Sequence, residues 1–588
     1  MSDRTDRNTQ SPIDPGEQND EIISVAFKWS AVVIALLGLI GAGAWFAFGR
    51  EAPAEELVIE KDAGEIESLD VEQDERPDVV FTDIAQEAGI DFVHRDGASG
   101  EKLLPETMIG GGAFLDYDGD GDQDLLLVSG TEWPHDEPSE NQPSSIALYQ
   151  NDGSGAFTNV TDEAGLNAQI YGMGIACGDY DGDGDTDIYV TAVGKNRLYE
   201  NRGGSFVDVT DEAGVAGGAD AWSSSAGFFD MDNDGDLDLF VCHYVNWSRE
   251  IDIELNYTLN GVDRAYGPPT NYEGTHCTLF RNNSDGTFED VTEQAGVAVI
   301  NPAQGVPVGK ALALAFYDFE SDGDLDVAVA NDTVQNFLFR NNGDGTFTEA
   351  GSAMGMAYDS SGKATGAMGI DVARYRNGES IAVGIGNFAN EMTSFYVFQN
   401  GLFSDQAIGE GVGSPTRSRL SFGLFFFDYD LDGRLDMLQA NGHLEDEITQ
   451  IQPSQHYEQP AQLFWNRGPE ARSTYAEVPA ESAGDLATPV VGRGAAYADI
   501  DGDGDLDALI TAVNRRPLLL RNDQRTGAHW LRVRLEDPTS RNTDAIGATV
   551  EIITDDGAQS RLGNPTRSYL SQVELPVTFG LGENESVE

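Results

Sequence analysis

Six nine-residue stretches hold the residues most able to do chemistry. In Asp116-Tyr117-Asp118-Gly119-Asp120-Gly121-Asp122-Gln123-Asp124 five carboxylates surround two glycines, and near-copies begin at Asp179, Asp230, Asp318, Asp428 and Asp499. Asp or Glu at positions 1, 3 and 5, Gly at 6 and Asp at 9 lets a turning loop point alternate oxygens at one hard cation. Calcium requires roughly six to eight such oxygens. The predicted ligands are therefore Asp116, Asp118, Asp120 and Asp124; Asp179, Asp181, Asp183 and Asp187; Asp230, Asp232, Asp234 and Asp238; Asp318, Glu320, Asp322 and Asp326; Asp428, Asp430, Asp432 and Asp436; and Asp499, Asp501, Asp503 and Asp507. Water completes each shell, and Gly121 or Gly235 at position 6 permits the sharp turn that brings position 9 round. An EF-hand would need Glu at position 12 and flanking helices, whereas Leu-Leu-Leu-Val, Ile-Tyr-Val and Leu-Phe-Val follow these loops and favour strands. The alternative for one such loop alone is an acidic turn held by its own side chains without metal. Six in register read as about six Ca2+ sites.

The loops recur within a longer unit. Around Asp179 a run before the loop (GMGIACGDY), an alternating run after it (DIYVTAV), and the pieces RLYENRGG and SFVDVTDEAGV are separated by Gly, Asn and Asp turns. These are the signals of a four-stranded antiparallel unit, and such units arranged radially make a propeller. Loop starts are 63, 51, 88, 110 and 71 residues apart, and the longest gap holds two units. Its hidden blade is GAMGIDVARYRNGESIAVGIGNF, which has Arg374 and Arg376 where acids are expected and so keeps its strands without an ion. That makes seven blades. The fourth-strand piece occurs out of phase: FTDIAQEAGI at Phe81 precedes the first loop, and nothing similar follows the last. Ring closure accounts for this, the strand near Phe81 completing the last blade beside Leu518 to Leu520 and removing exposed sheet edges. The expected fold is all-β, a seven-bladed β-propeller over 81–523 with a small C-terminal β domain over 524–588.

GAFLDYDGDGDQDLLLVSG followed by LYQNDGSGAFTNVT resembles the FG-GAP or VCBS repeat of integrin-alpha-type propellers. Together with HYVNWSREIDIEL, ANGHLEDEI, and the C-terminal pieces HWLRVRL, AIGATVEI, SYLSQ and TFGLG, the chain is similar to the family related to cartilage acidic protein, which ends in an ASPIC/UnbV domain. The resemblance covers residues 81 to 588 and implies a further strand after FGLG, so the last domain reads as incomplete. It also implies that position 7 contributes only a backbone carbonyl, which would let the loop containing Arg434 still bind, as the weakest of the six sites.

The formal net charge is -68, from 102 Asp and Glu against 34 Lys and Arg. Such self-repulsion opposes a compact state unless cations relieve it, and it excludes nucleic acid as a partner. Hydrophobic residues make up 40% of the chain, enough for real cores. Cys177, Cys242 and Cys277 include no zinc spacing; Cys177 reads as buried, and Cys242 and Cys277 flank one insertion and could pair in an exported chain. Residues 1–28 read as a disordered polar head. Residues 29–48, from Trp29 to Phe48, carry no charge and lie between Lys28 and Arg50, long enough for a single transmembrane helix. A cleaved signal peptide is the rival, which the long preceding head disfavours. Residues 49–80 form an acidic linker, and the basic head against this acidic flank places the propeller outside the cytoplasm, periplasmic or at the cell surface.

The longer insertions, Ser129 to Ser145, His243 to Thr278 and Gly442 to Gln462, all fall between second and third strands, on the end opposite the acidic loops. They carry Trp133, Tyr244, Trp247, Tyr257, Tyr266, Tyr272 and Tyr457, which suit an extracellular protein or glycan partner or else pack the loops down. With no GxSxG or HExxH and seven scattered histidines, no catalytic residues are assigned, His243, His276 and His443 being the ones to test. The expectation is a non-enzymatic, membrane-anchored, calcium-binding adhesion or binding module. A surface lectin or polysaccharide-handling enzyme and a structural envelope protein are the alternatives.

Overall fold

Among the described residues seven sheets, each built on four antiparallel repeat strands, stand around one axis and run from an innermost to an outermost strand; the strands are consecutive in six of them. The computed structural model describes residues 76–77, 79–133, 142–259, 263–376 and 380–587. The transmembrane helix expected at 29–48, with its head and nearly all of the acidic linker, lies outside them. Among the described residues no helix is long and apolar enough to cross a membrane.

Blade 1 begins with Gly111–Leu115, blade 2 with Gly172–Gly178 and blade 3 with Ser223–Phe229; Ala311–Tyr317, Ala367–Arg374, Ser421–Phe427 and Gly492–Ala498 open blades 4 to 7. These innermost strands are almost wholly buried because each lies between two neighbouring blades. Their glycines permit the approach: a Cβ on Gly369 would stand 2.1 Å from the carbonyl oxygen of Phe422 in the next blade. Second strands such as Asp124–Val128 and Asp238–His243 are equally buried, and outer strands such as Phe157–Asn159 bury their first residue and expose the other two. Burial therefore falls from axis to rim.

The hidden fifth blade is present as Ala367–Arg374, Ile381–Asn387, Ser394–Gln399 and Leu402–Asp405. The ring closes as expected. Phe81–Asp83 pairs antiparallel with Leu518–Asn522 in the register Phe81 to Asn522 and Asp83 to Leu520, and Phe81 is fully buried.

The C-terminal segment does not simply follow the ring. His529–Val533 pairs with Val577–Gly582, and Thr549–Thr554 with Gly557–Leu562. The chain between them enters the axis, where Thr566–Arg567 and Ser571–Gln572 add to the blade 1 sheet and Gln572 lies parallel to Ala113. Ser568 and Ile370 of blade 5 exchange backbone bonds of 2.8 and 3.0 Å. The Ile175 N–H of blade 2 donates to Leu570 O, and the Leu570 N–H donates to Ser225 Oγ of blade 3. Tyr569 and Leu570 are buried in the central apolar cluster, and Ser568 and Leu570 hold left-handed backbone angles of 72° and 55°. Non-glycine residues take these angles only where surrounding contacts over-determine them.

Candidate metal loops and their roof

Each acidic loop is a turn that binds its own carboxylates before any ion is considered. At position 1, Asp230 accepts hydrogen bonds from the Asp234 and Gly235 N–H groups at 3.2 and 2.9 Å, and Asp179 and Asp428 do the same in their loops. Position 6 is glycine with φ between 91° and 96° in all six loops: Gly121, Gly184, Gly235, Gly323, Gly433 and Gly504. Position 4 is also left-handed, and there Asn233, Ser321 and Leu431 replace glycine.

Position 9 does more than offer a ligand. Asp124 accepts from Tyr117 N–H at 3.1 Å with one oxygen and from Asn151 N–H at 2.8 Å with the other. Asp187, Asp238, Asp326, Asp436 and Asp507 repeat both bonds, joining the loop start to the end of the third strand. All six are at most 2% exposed. Burial pushes the Asp124 carboxyl up to about 8 and the Asp187 carboxyl up to about 9, against the backbone bonds that favour the charged form.

Three carboxylates come together in five loops, with one oxygen of each within 4.8 Å of the others: Asp116, Asp118 and Asp124; Asp179, Asp181 and Asp187; Asp230, Asp232 and Asp234; Asp428, Asp430 and Asp436; Asp499, Asp501 and Asp507. Asp116 Oδ1, Asp232 Oδ1 and Asp501 Oδ1 are buried with no hydrogen-bond partner. Buried anionic oxygens without partners fit a hard cation. Asp120, Asp183, Asp432 and Asp503 stand outside these groups and accept the N–H two residues on, as Asp120 does from Asp122 at 3.0 Å. Asp238 stays outside the blade 3 group, its oxygens held as above. Among the described residues Asp318, Glu320, Asp322 and Asp326 form no such group; Glu320 is drawn 2.6 Å from Arg340 instead. Arg434 forms an ion pair with Asp432 while Asp428, Asp430 and Asp436 still converge.

Two contributions were not visible in the acidic pattern. The first is an asparagine ending the third strand. Asn282 Nδ2 donates to Leu237 O in its own blade at 3.0 Å and to Tyr180 O of blade 2 at 2.8 Å. Asn151, Asn201, Asn341, Asn466 and Asn522 likewise reach the preceding blade, at Ile500, Tyr117, Met231, Tyr375 and Tyr429. At the junction of blades 4 and 5, beside the blade lacking the acidic motif, Arg374 Nε donates to Tyr317 Oη at 2.8 Å. The recurring Asn in NDG, NRGG and NNGDG was the signal.

The second is the C-terminal segment, which roofs the acidic end. Arg534 reaches Asp116 at 3.2 Å, Thr543 Oγ1 donates to Asp179 at 2.7 Å, Gly580 N–H donates to Asp428 at 3.2 Å, and Arg532 reaches Asp499 at 3.4 Å. Residues 524–588 hold six arginines and no lysine against ten Asp and Glu, a smaller acidic surplus than the 102 against 34 of the whole chain.

On the opposite end the insertions pack together. Trp133 Nε1 donates to the buried Glu106 at 3.2 Å, Trp133 stacks on Tyr171, and Trp247 Nε1 donates to Asp252 at 2.7 Å. Trp133, Tyr244, Trp247 and Tyr272 are buried there; Tyr257, Tyr266 and Tyr457 are partly exposed. His243 and His443 are buried, and burial lowers both to about 4. Cys177, Cys242 and Cys277 are buried free thiols.

The FG-GAP-like repeat family matches residues 116–190, 179–241 and 318–377, and the ASPIC and UnbV family matches 538–588. Cartilage acidic protein 1 of Homo sapiens is 26% identical over 310 residues, covering 51% of this chain and 42% of that one. Its Xenopus tropicalis counterpart is 27% identical over 312 residues, covering 51% and 43%. Each match thus spans less than half of the relative. Among solved structures, the exotype rhamnogalacturonan lyase YesX is 13% identical with a TM-score of 0.36, covering 70% of this chain and 71% of that one. Likeness that loose carries no argument.

Proposed function

Proceeding from a propeller of FG-GAP-like repeats with an ASPIC and UnbV segment, related to cartilage acidic protein, we propose a calcium-dependent binding or adhesion module held at a membrane by residues 29–48 and facing away from the cytoplasm. The observation that carries it is the recurrence of three converging carboxylates in five loops, three of which include a buried oxygen without a partner. In this reading Ca2+ is a fastener: it neutralises carboxylates crowded at one end of the ring and leaves the insertions of the other end to meet a protein or glycan. Tyr257, Tyr266 and Tyr457, the partly exposed aromatics of that end, are the contact candidates.

Chelation tests it. An ion bound by the folded state alone adds about 2.7 kcal/mol per site at one hundred times its Kd, so removing Ca2+ should lower the melting temperature steeply. An unchanged melt would remove calcium from the reading. A glycan and protein array probed with and without Ca2+ tests the binding half, and turnover of a captured glycan would replace the module with an enzyme.

A further inference from the structure

The longest of the three insertions leaves and re-enters blade 3 between two cysteines. Cys242 is the penultimate residue of the second strand, Asp238–His243, and Cys277 immediately precedes the third, Thr278–Asn282. The 34 residues between them include Tyr257 and Tyr266.

Pairing on both sides fixes how these cysteines face. Val241 lies opposite Thr278, and further on Val245 lies opposite Gly274 in the same register. Cys242 therefore stands directly across from Cys277. The Tyr244 N–H turns to Trp222 O at 3.0 Å, on the side of the innermost strand, and the Leu279 N–H turns to Thr292 Oγ1 at 3.0 Å, on the side of the outermost. Backbone groups point the same way at every second residue of a strand, so Cys242 and Cys277 turn theirs away from each other. Such non-hydrogen-bonded pairs bring their Cα atoms to about 4.5 Å, with the side chains closer than in the alternate pairs. That lies within the roughly 4.4 to 6.8 Å at which a disulfide closes without moving the backbone.

The two side chains also share one part of the core. Both are buried in the apolar cluster between blades 3 and 4, and the Cys277 thiol is within hydrogen-bonding reach of the Cys242 thiol. Cys177 belongs to a different cluster, between blades 1 and 2. Among the described residues the pair joins no metal-ligating group, and strand alternation turns the neighbouring His243 to the other face.

We propose that Cys242 and Cys277 form a disulfide that staples the two feet of this insertion as the exported chain folds. The oxidising compartment rests on the reading that the propeller lies outside the cytoplasm; the choice of partners does not. The thiolate of one cysteine attacks a disulfide donor such as oxidised glutathione, releasing one donor thiol and leaving a mixed disulfide. The thiolate of the other then attacks the protein sulfur, so the Sγ–Sγ bond forms and the second donor thiol leaves. Two cysteine thiols are oxidised, and their electrons and protons pass to the two thiols of the reduced donor. Burial pushes the Cys242 thiol well up, which confines exchange to folding, before blade 4 covers the pair, and keeps soluble reductants from the finished bond.

The full chain is synthesised cell-free into lipid nanodiscs, in reduced and in oxidised glutathione, with Ca2+ in both. The monodisperse product is denatured, alkylated and mapped by mass spectrometry. Oxidised glutathione should yield a Cys242–Cys277 cross-link with Cys177 alkylated. Native proteolysis within the insertion, followed on reducing gels, should then slow roughly tenfold or more, because the cross-link shrinks the open ensemble that a protease attacks. Cys177→Ala should change neither result, and the double variant Cys242→Ala, Cys277→Ala should be cleaved at the rate of the reduced parent in both buffers. The proposal is overturned if all three cysteines alkylate or carry glutathione, if the cross-link involves Cys177, if the oxidised and reduced forms are cleaved alike, or if the chain is monodisperse in reduced glutathione only. A cross-link formed in this way but missing from the chain purified from cells would support the pairing and overturn the placement outside the cytoplasm.

Discussion

Aspartate at position 9 is both a fold residue and a ligand candidate, and these roles respond oppositely to pH. Burial holds Asp124 and Asp187 at about 8 and about 9, above the roughly 3.9 of an unfolded aspartate. A raised carboxyl pKa contributes stability that is complete below about 4 and lost as pH rises through about 8 to 9. In chelator the protein should therefore melt at progressively lower temperature from pH 5 to pH 9. With Ca2+ the ionised carboxylates gain a partner, so the slope should flatten or reverse; melts that ignore pH in chelator would show that these groups do not titrate with folding. Asn282 gives a second test. Replacing it with Ala leaves Tyr180 O and Leu237 O without their donor and frees the Ser284 N–H that its Oδ1 accepts. A loss of about 2–3 kcal/mol is expected from denaturant midpoints, because each buried group left unpaired costs roughly 1–3 kcal/mol.

At the scale of the strand, the closing element is short and decisive. Phe81–Asp83 is only 3 residues long, yet it completes blade 7 and buries Phe81 against Tyr429 of blade 6. Phe81→Ala should cost roughly 3–5 kcal/mol, as for other large-to-small changes in a packed core. Deleting residues 81–90 should speed hydrogen exchange in Leu518–Asn522, and unaltered exchange there would refute the closure. Strand order and blade number were open to reading from sequence because each blade repeats its own turn chemistry. The fifth blade was found without its acids because alternating apolar strands persist where the loop has changed.

For the whole molecule, the axis is occupied by the chain's own C-terminal region. Tyr569 donates from its hydroxyl to Met108 O at 2.9 Å, and Gln572 Nε2 donates to Ile175 O at 2.9 Å, so the segment ties together blades distant in sequence. Truncation at residue 523 would uncover the inner strands and remove the roof from the acidic loops. Such a chain should bind a hydrophobic dye and aggregate on size exclusion, whereas a compact, monodisperse product would show that the ring needs no plug. The sequence marked 524–588 as a small β domain because its strand signals resemble those of any small sheet. Nothing in SYLSQ announces that Ser568 and Leu570 will meet Ile370 and Ser225, contacts between residues 198 and 345 positions apart.

What the sequence determined by itself is what repeats: seven blades, the closing strand near Phe81, and acidic loops with glycine at the turn. Local chemistry dictates these, since position 6 must be left-handed and position 9 must return to the loop wherever the motif occurs. Tertiary structure alone decided which carboxylates converge. Glu320 turns to Arg340 because the third strand presents that guanidinium beside it, while Asp428, Asp430 and Asp436 stay together although Arg434 lies next to them. It also decided where the last segment goes, because a plug is defined by the ring it fills, and that ring exists only once blade 7 has closed.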